Sequence, residues 1–109
     1  GPDGREVLTK RVLLEAGKNL SYHYHQFRNE IWTVVSGEGE AVIGDRLIGV
    51  SAGDVLAIPE GQRHSLRAQT DLVIIEVQSG TRLMEEDIVR LEHDWREIVQ
   101  FCKAEERNR

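Results

Sequence analysis

The stretch GKNLSYHYHQFRNEIWTVVSG, residues 17–37, sets His23 and His25 one residue apart and follows them with Glu30, inside a hydrophobic, β-branched segment. Side chains alternate along a strand, so His23 and His25 share one face while Tyr24 takes the other. Gln26 to Asn29 are long enough for a loop, after which Glu30 opens an antiparallel strand that brings its carboxylate back beside the imidazoles. A fourth candidate, His64, lies in GDVLAIPEGQRHSL, residues 53–66, where Pro59-Glu60-Gly61 reads as a turn and His64 starts the next strand. Three imidazoles and one carboxylate, without a thiolate, suit one divalent metal ion, zinc foremost, with iron, manganese, cobalt or nickel as other occupants. A single histidine is more often a hydrogen-bonded structural residue than a ligand. Here three of the chain's four histidines fall in two segments that also carry turn-forming glycine and proline. The fourth, His93, lies opposite the apolar stripe of an expected helix and reads as solvated surface.

Working outward, short β-type runs separated by turn residues extend from Glu6 to Gln78. They are Glu6 to Leu14, Leu20 to His25, Ile31 to Val35, Glu40 to Ile43, Leu47 to Val50, Val55 to Ile58, His64 to Ala68 and Leu72 to Val77. Gly44-Asp45 reads as a hairpin turn, because glycine reaches positive φ without steric cost. A turn every eight to twelve residues or so favours a sandwich or barrel over alternating βαβ units, so the fold class is mainly β. After Gly80 the pattern changes. Ile88, Leu91, Trp95, Ile98 and Cys102 recur at three- and four-residue steps, which predicts a C-terminal helix over about 84–102. The charged tail from Lys103 to Arg109 has no apolar anchor and is expected to fray.

With 109 residues, the chain supports one domain built on a single core. Its hydrophobic content of 39% and charged content of 30% fit an ordinary globular protein, and it has no apolar run of membrane-spanning length. A formal charge of −5 argues against a nucleic-acid or anionic-membrane surface, so any anionic ligand needs a local arginine. The lone cysteine, Cys102, cannot pair internally, and no apolar signal segment opens the chain, which suggests the cytoplasm. The chain starts Gly1-Pro2 rather than with methionine, as after removal of a tag, and reads as a piece excised from a longer protein.

Two motifs carry a resemblance. Gly17, His23-Tyr24-His25, Glu30 and Gly37 match the spacing of the first cupin motif. Gly53, Pro59-Glu60-Gly61 and His64 resemble the second, with Ala68 where an asparagine is usual. This resemblance covers about residues 6–78 and implies a cupin-type jelly-roll barrel with the metal inside it. Three further phrases, Arg28 to Gly37, Ile75 to Gly80 and Glu86 to Glu92, are similar to the cupin domain of type II mannose-6-phosphate isomerases. In that family the domain is commonly fused behind a mannose-1-phosphate guanylyltransferase domain. Members generally have glutamine where this chain has His23, and a run of histidines where it has His25, Gln26 and Phe27.

The resemblance implies a metal-dependent sugar-phosphate isomerase that interconverts mannose 6-phosphate and fructose 6-phosphate. Such a reaction moves a proton between adjacent carbons through an enediolate, so it needs an electrophile and a base. The metal serves as the electrophile. For the phosphate, Arg28 stands first, between two metal ligands and matching a family arginine, and Arg90 second. Arg63 and Arg67 alternate away from an inward His64 and read as surface charge. Lys18, Tyr22 or a metal-bound water are candidates for the base, and Tyr24 and Trp32 for stacking on a sugar. Two other readings stand beside this one: a non-catalytic metal- or sugar-binding module that regulates or dimerises a fused nucleotidyltransferase, and an iron-dependent dioxygenase. A homodimer is expected, with the stripe Ile88, Leu91, Trp95 and Ile98 as its apolar surface.

Overall fold

The computed structural model describes residues 4–104. Its elements in chain order are β1 (Glu6–Leu14), β2 (Tyr22–Tyr24), β3 (Asn29–Ser36), β4 (Glu38–Ile43), β5 (Arg46–Ser51), β6 (Val55–Ile58), β7 (His64–Ala68), β8 (Leu72–Gly80), β9 (Val89–Glu92), α1 (Trp95–Val99) and β10 (Lys103–Ala104). They form two sheets, one in the order β1-β8-β3-β6 and the other β10-β5-β4-β7-β2-β9. Gly44 takes φ 64° in the β4–β5 turn, as the hairpin requires.

The inward faces of the sheets meet in a core of Leu14, Trp32, Val34, Ala41, Ile43, Ile48, Val50, Ile58, Leu66, Ala68, Leu72 and Ile74. Strict alternation explains the set. On β3 the inward residues are Glu30, Trp32 and Val34, and on β8 they are Leu72, Ile74, Glu76 and Gln78, paired Glu30 with Gln78 and Trp32 with Glu76. Each fully buried leucine or valine contributes about 1.5–3 kcal/mol. The opposite face of the first sheet is apolar as well, yet exposed: Leu13, Ile31 and Val55 lie outward, together with Val7 and Val35.

The C-terminal segment differs from the helix expected over 84–102. Residues 89–92 form a strand that pairs with β2, matching Tyr24 with Val89, His23 with Arg90 and Tyr22 with Glu92. Only Trp95–Val99 is helical, begun by Asp94, whose side chain accepts a hydrogen bond from the Arg96 amide. The apolar stripe therefore breaks up, with Leu91 exposed on β9 and Ile98 the buried residue of α1. His93 is exposed as expected, but outside the helix. The tail is pinned at its start, where Lys103–Ala104 pairs in parallel with Arg46–Leu47, and its remainder, 105–109, lies outside the described residues. Among the described residues no helix is long and apolar enough to cross a membrane.

Candidate metal centre

His23, His25 and His64 are brought together at one end of the interior, with a ligand atom from each lying within 4.8 Å of the others. The ladder places His23 directly opposite His64. His25 follows two residues on, and its carbonyl accepts the Gly61 amide at 2.8 Å, which docks the Pro59-Glu60-Gly61 turn against the first motif. Glu30 enters from β3 on the other sheet, with Oε2 3.1 Å from His25 Nε2 and Oε1 3.9 Å from His64 Nε2. All four side chains are buried.

Every imidazole is oriented in the same way. Nδ1 of His23 faces the Ser21 carbonyl at 2.7 Å, that of His25 the Asp87 carbonyl at 2.6 Å, and that of His64 the Gln62 carbonyl at 2.8 Å. A carbonyl oxygen only accepts, so each Nδ1 carries the proton and each Nε2 keeps its lone pair. Metal-binding histidines are commonly tethered in this manner. Three buried atoms at the centre, Arg28 Nε, Glu30 Oε2 and His64 Nε2, have no hydrogen-bond partner among the described residues, although the first two face each other as an ion pair at 3.0 Å. An orphaned buried acceptor costs about 1–3 kcal/mol, and a cation shared among these lone pairs removes that cost. The residues thus fit a divalent metal.

Electrostatics agree. Burial, then the neighbouring His64, push His23 down to about 4, against the Ser21 hydrogen bond that acts upward. His64 is lowered for the same first reason. Both are neutral imidazoles at pH 7. Burial acts to raise Glu30, but the neighbouring His25 and His64 and the 2.8 Å hydrogen bond from Trp32 Nε1 outweigh it and hold the carboxyl at about 2.

Arg28 reaches the same space from the loop between His25 and Glu30. Its Nη2 lies 2.9 Å from His25 Nε2, its Nε 3.0 Å from Glu30 Oε2, and its Nη1 donates to Gln78 Oε1 at 3.1 Å. Arg90 sits opposite His23 in the ladder and is exposed on the edge strand. Trp32 is core rather than a free stacking platform, its indole edge-on to His64 with centroids 5.4 Å apart. Tyr22 alternates away from His23, and its hydroxyl donates to the Gly44 carbonyl at 2.7 Å, so it is no candidate base. Lys18 is exposed, before β2. Arg63 lines a separate outer cleft of about 320 Å³ with Tyr22, Phe101 and Cys102, away from the histidines.

Three residues were missed in the sequence. Asp87 lies in the stretch read as helix, yet its carboxylate accepts the amides of Gln26 and Phe27, both at 2.8 Å, while its carbonyl fixes His25. Glu76 and Gln78 are linked at 2.7 Å, from Gln78 Nε2 to Glu76 Oε2. Burial, then the charge of Glu30, raise the Glu76 carboxyl above its ordinary value. Their inward parity with Leu72 and Ile74 was the available signal. Gly80 ends β8 where a Cβ would collide with the Phe27 carbonyl, so only glycine lets the Arg28 loop approach so closely.

Residues 3–93 match the family described as mannose-6-phosphate isomerase C-terminal. The chain belongs to this family. Within the mannose-6-phosphate isomerase C-terminal family, it is 40% identical over 91 residues to the xanthan biosynthesis protein XanB of Xanthomonas campestris, covering 82% of this chain and 20% of the relative. It is 37% identical over 91 residues to a mannose-1-phosphate guanylyltransferase of Salmonella muenchen, covering 82% and 19%. The chain thus spans about a fifth of the length of these relatives. In fold it is similar to a cupin protein from Bacteroides fragilis, with TM-score 0.62 and 23% identity, over 72% of this chain and 70% of that one. The mannose-6-phosphate isomerase C-terminal domain is accordingly a mainly β cupin barrel here, with one short C-terminal helix.

Proposed function

We propose that this domain is the metal-dependent isomerase part of a longer protein and interconverts mannose 6-phosphate and fructose 6-phosphate. One observation carries the reading: three Nε2 atoms and the Glu30 carboxylate converge in a buried space that also holds the Arg28 guanidinium. His23, His25, His64 and Glu30 hold the metal, with zinc the first choice for an imidazole-rich, thiolate-free set. When bound, a divalent cation supplies Lewis acidity toward a sugar carbonyl. Arg28 binds the anionic part of the substrate, with Arg90 at the rim as a second cation. Trp32 holds the Glu30 carboxylate in place, and the apolar wall beyond it keeps water out of that end.

The test is a coupled assay of the zinc-loaded domain with each sugar phosphate. Interconversion that stops with chelator and in His64→Ala supports the reading. Binding without turnover by a fully loaded protein would replace it with a second reading, a non-catalytic sugar-binding module serving a fused nucleotidyltransferase. That alternative draws support from the short span of the chain against relatives named as guanylyltransferases. The exposed apolar face of the first sheet, rather than a helical stripe, is the surface on which two copies pair in this proposal.

A further inference from the structure

We propose that Arg28 and a metal ion take turns on His25, so that metal loading releases Nη2 of the Arg28 guanidinium to bind a tetrahedral oxyanion. The inference rests on the metal-centre reading above and extends it to a coupling between two ligands. The His25 ring donates through Nδ1 to the Asp87 carbonyl, which leaves Nε2 a single in-plane lone pair. That lone pair accepts from Arg28 Nη2 at 2.9 Å. A metal at the usual distance of about 2.0–2.1 Å lies along the same direction. The two contacts exclude each other.

The guanidinium is planar and rigid, so it shifts as a unit. Gln78 Oε1 at Nη1 and Glu30 Oε2 beside Nε tether it to the site. Gln78 is buried and locked, because its amide nitrogen is committed to Glu76. The loop backbone is pinned by the Asp87 carboxylate on the Gln26 and Phe27 amides. Metal binding therefore shifts the rigid guanidinium away from His25 while these partners keep it beside the site, and Nη2 is free for an incoming ligand. Phosphate esters and sulfate present anionic oxygens that accept charge-assisted hydrogen bonds from a guanidinium N–H. An anion that holds Nη2 away from His25 also favours the metal, and the gain is reciprocal by linkage.

Cobalt(II) titrations followed by visible absorbance test the exchange, in sulfate and in chloride at equal ionic strength, on the parent chain and on Arg28→Met. The parent is expected to bind cobalt about tenfold more tightly in sulfate, within the usual range of coupling. Arg28→Met is expected to bind cobalt more tightly than the parent in chloride and to show no sulfate response. A sugar phosphate should reproduce the gain and its unphosphorylated sugar should give none; a gain with the plain sugar alone would overturn the proposal. Cobalt binding by the parent that ignores sulfate overturns the exchange and leaves the metal centre standing, whereas no cobalt binding in either salt overturns both. If Arg28→Met does not fold, the parent's response to sulfate decides the question by itself.

Discussion

The two ends of the barrel interior are built from the same strands by the same alternation, yet they do opposite things. Along β7 the inward residues run His64, Leu66, Ala68, and along β8 they run Leu72, Ile74, Glu76, Gln78. One end is closed hydrocarbon around Val34, Leu66 and Leu72. The other is a polar nest of three imidazoles, Glu30, Arg28, Gln78 and Glu76, in which Arg28 Nε, Glu30 Oε2 and His64 Nε2 are buried without a hydrogen-bond partner. Trp32 is the partition: its rings pack in the core, while its N–H holds Glu30. The contrast teaches that cohesion resides in the apolar end, and that the polar end carries a stability cost that a bound cation would offset.

Substitutions at the two ends should therefore separate. His64→Ala should abolish stoichiometric uptake of zinc, measured by elemental analysis after dialysis, and leave the folded chain in place. Unchanged metal content in that variant would remove His64 from the ligand set. Leu66→Ala, two residues along the same strand face, should lose about 2–5 kcal/mol in urea denaturation, as for a leucine truncated in a packed core. It should still take up one metal per folded chain. A Leu66→Ala protein as stable as the parent would show the apolar end to be loosely packed.

Acid should act on the polar end alone, and more gently. His23 titrates in the folded chain at about 4 against 6.5 as a free group. The unfolded chain thus binds its proton first, and stability is complete above about pH 6.5 and falls as the pH drops toward 4. The slope for one histidine is at most about 1.4 kcal/mol per pH unit. Glu30, about 2 against 4.5, acts in the same direction but at lower pH. The urea midpoint of chelator-treated protein should fall between pH 7 and pH 5, with a shallower fall in His23→Gln. A midpoint that stays flat or rises over that range would contradict the neutral, buried state of His23.

Both ends were legible in the sequence to different degrees. Strand periodicity placed β1, β6 and β7 at their observed limits and put His23, His25 and His64 on inward faces, because alternation is a local property of the chain. The region from Met84 onward was misread for a physical reason. The spacing of Ile88, Leu91 and Trp95 suits a helix, but β2 offers an open edge, and pairing with it decides in favour of β9. Asp87 could not be read as a support for His25, since its carbonyl meets the ring across 62 residues of chain. Arg28 was recognisable as a cation beside the candidate ligands. Its anchoring by Gln78 and Glu76 depends on β3–β8 register, which no local pattern encodes.

X-ray absorption at the zinc edge of the loaded protein tests the metal centre most directly. The expected inner coordination sphere contains nitrogen and oxygen at about 2.0–2.1 Å, with the outer scattering of three imidazoles and no sulfur. A sphere containing sulfur, for which Cys102 is the chain's one thiol, or one without imidazole scattering, would contradict the assignment of His23, His25, His64 and Glu30.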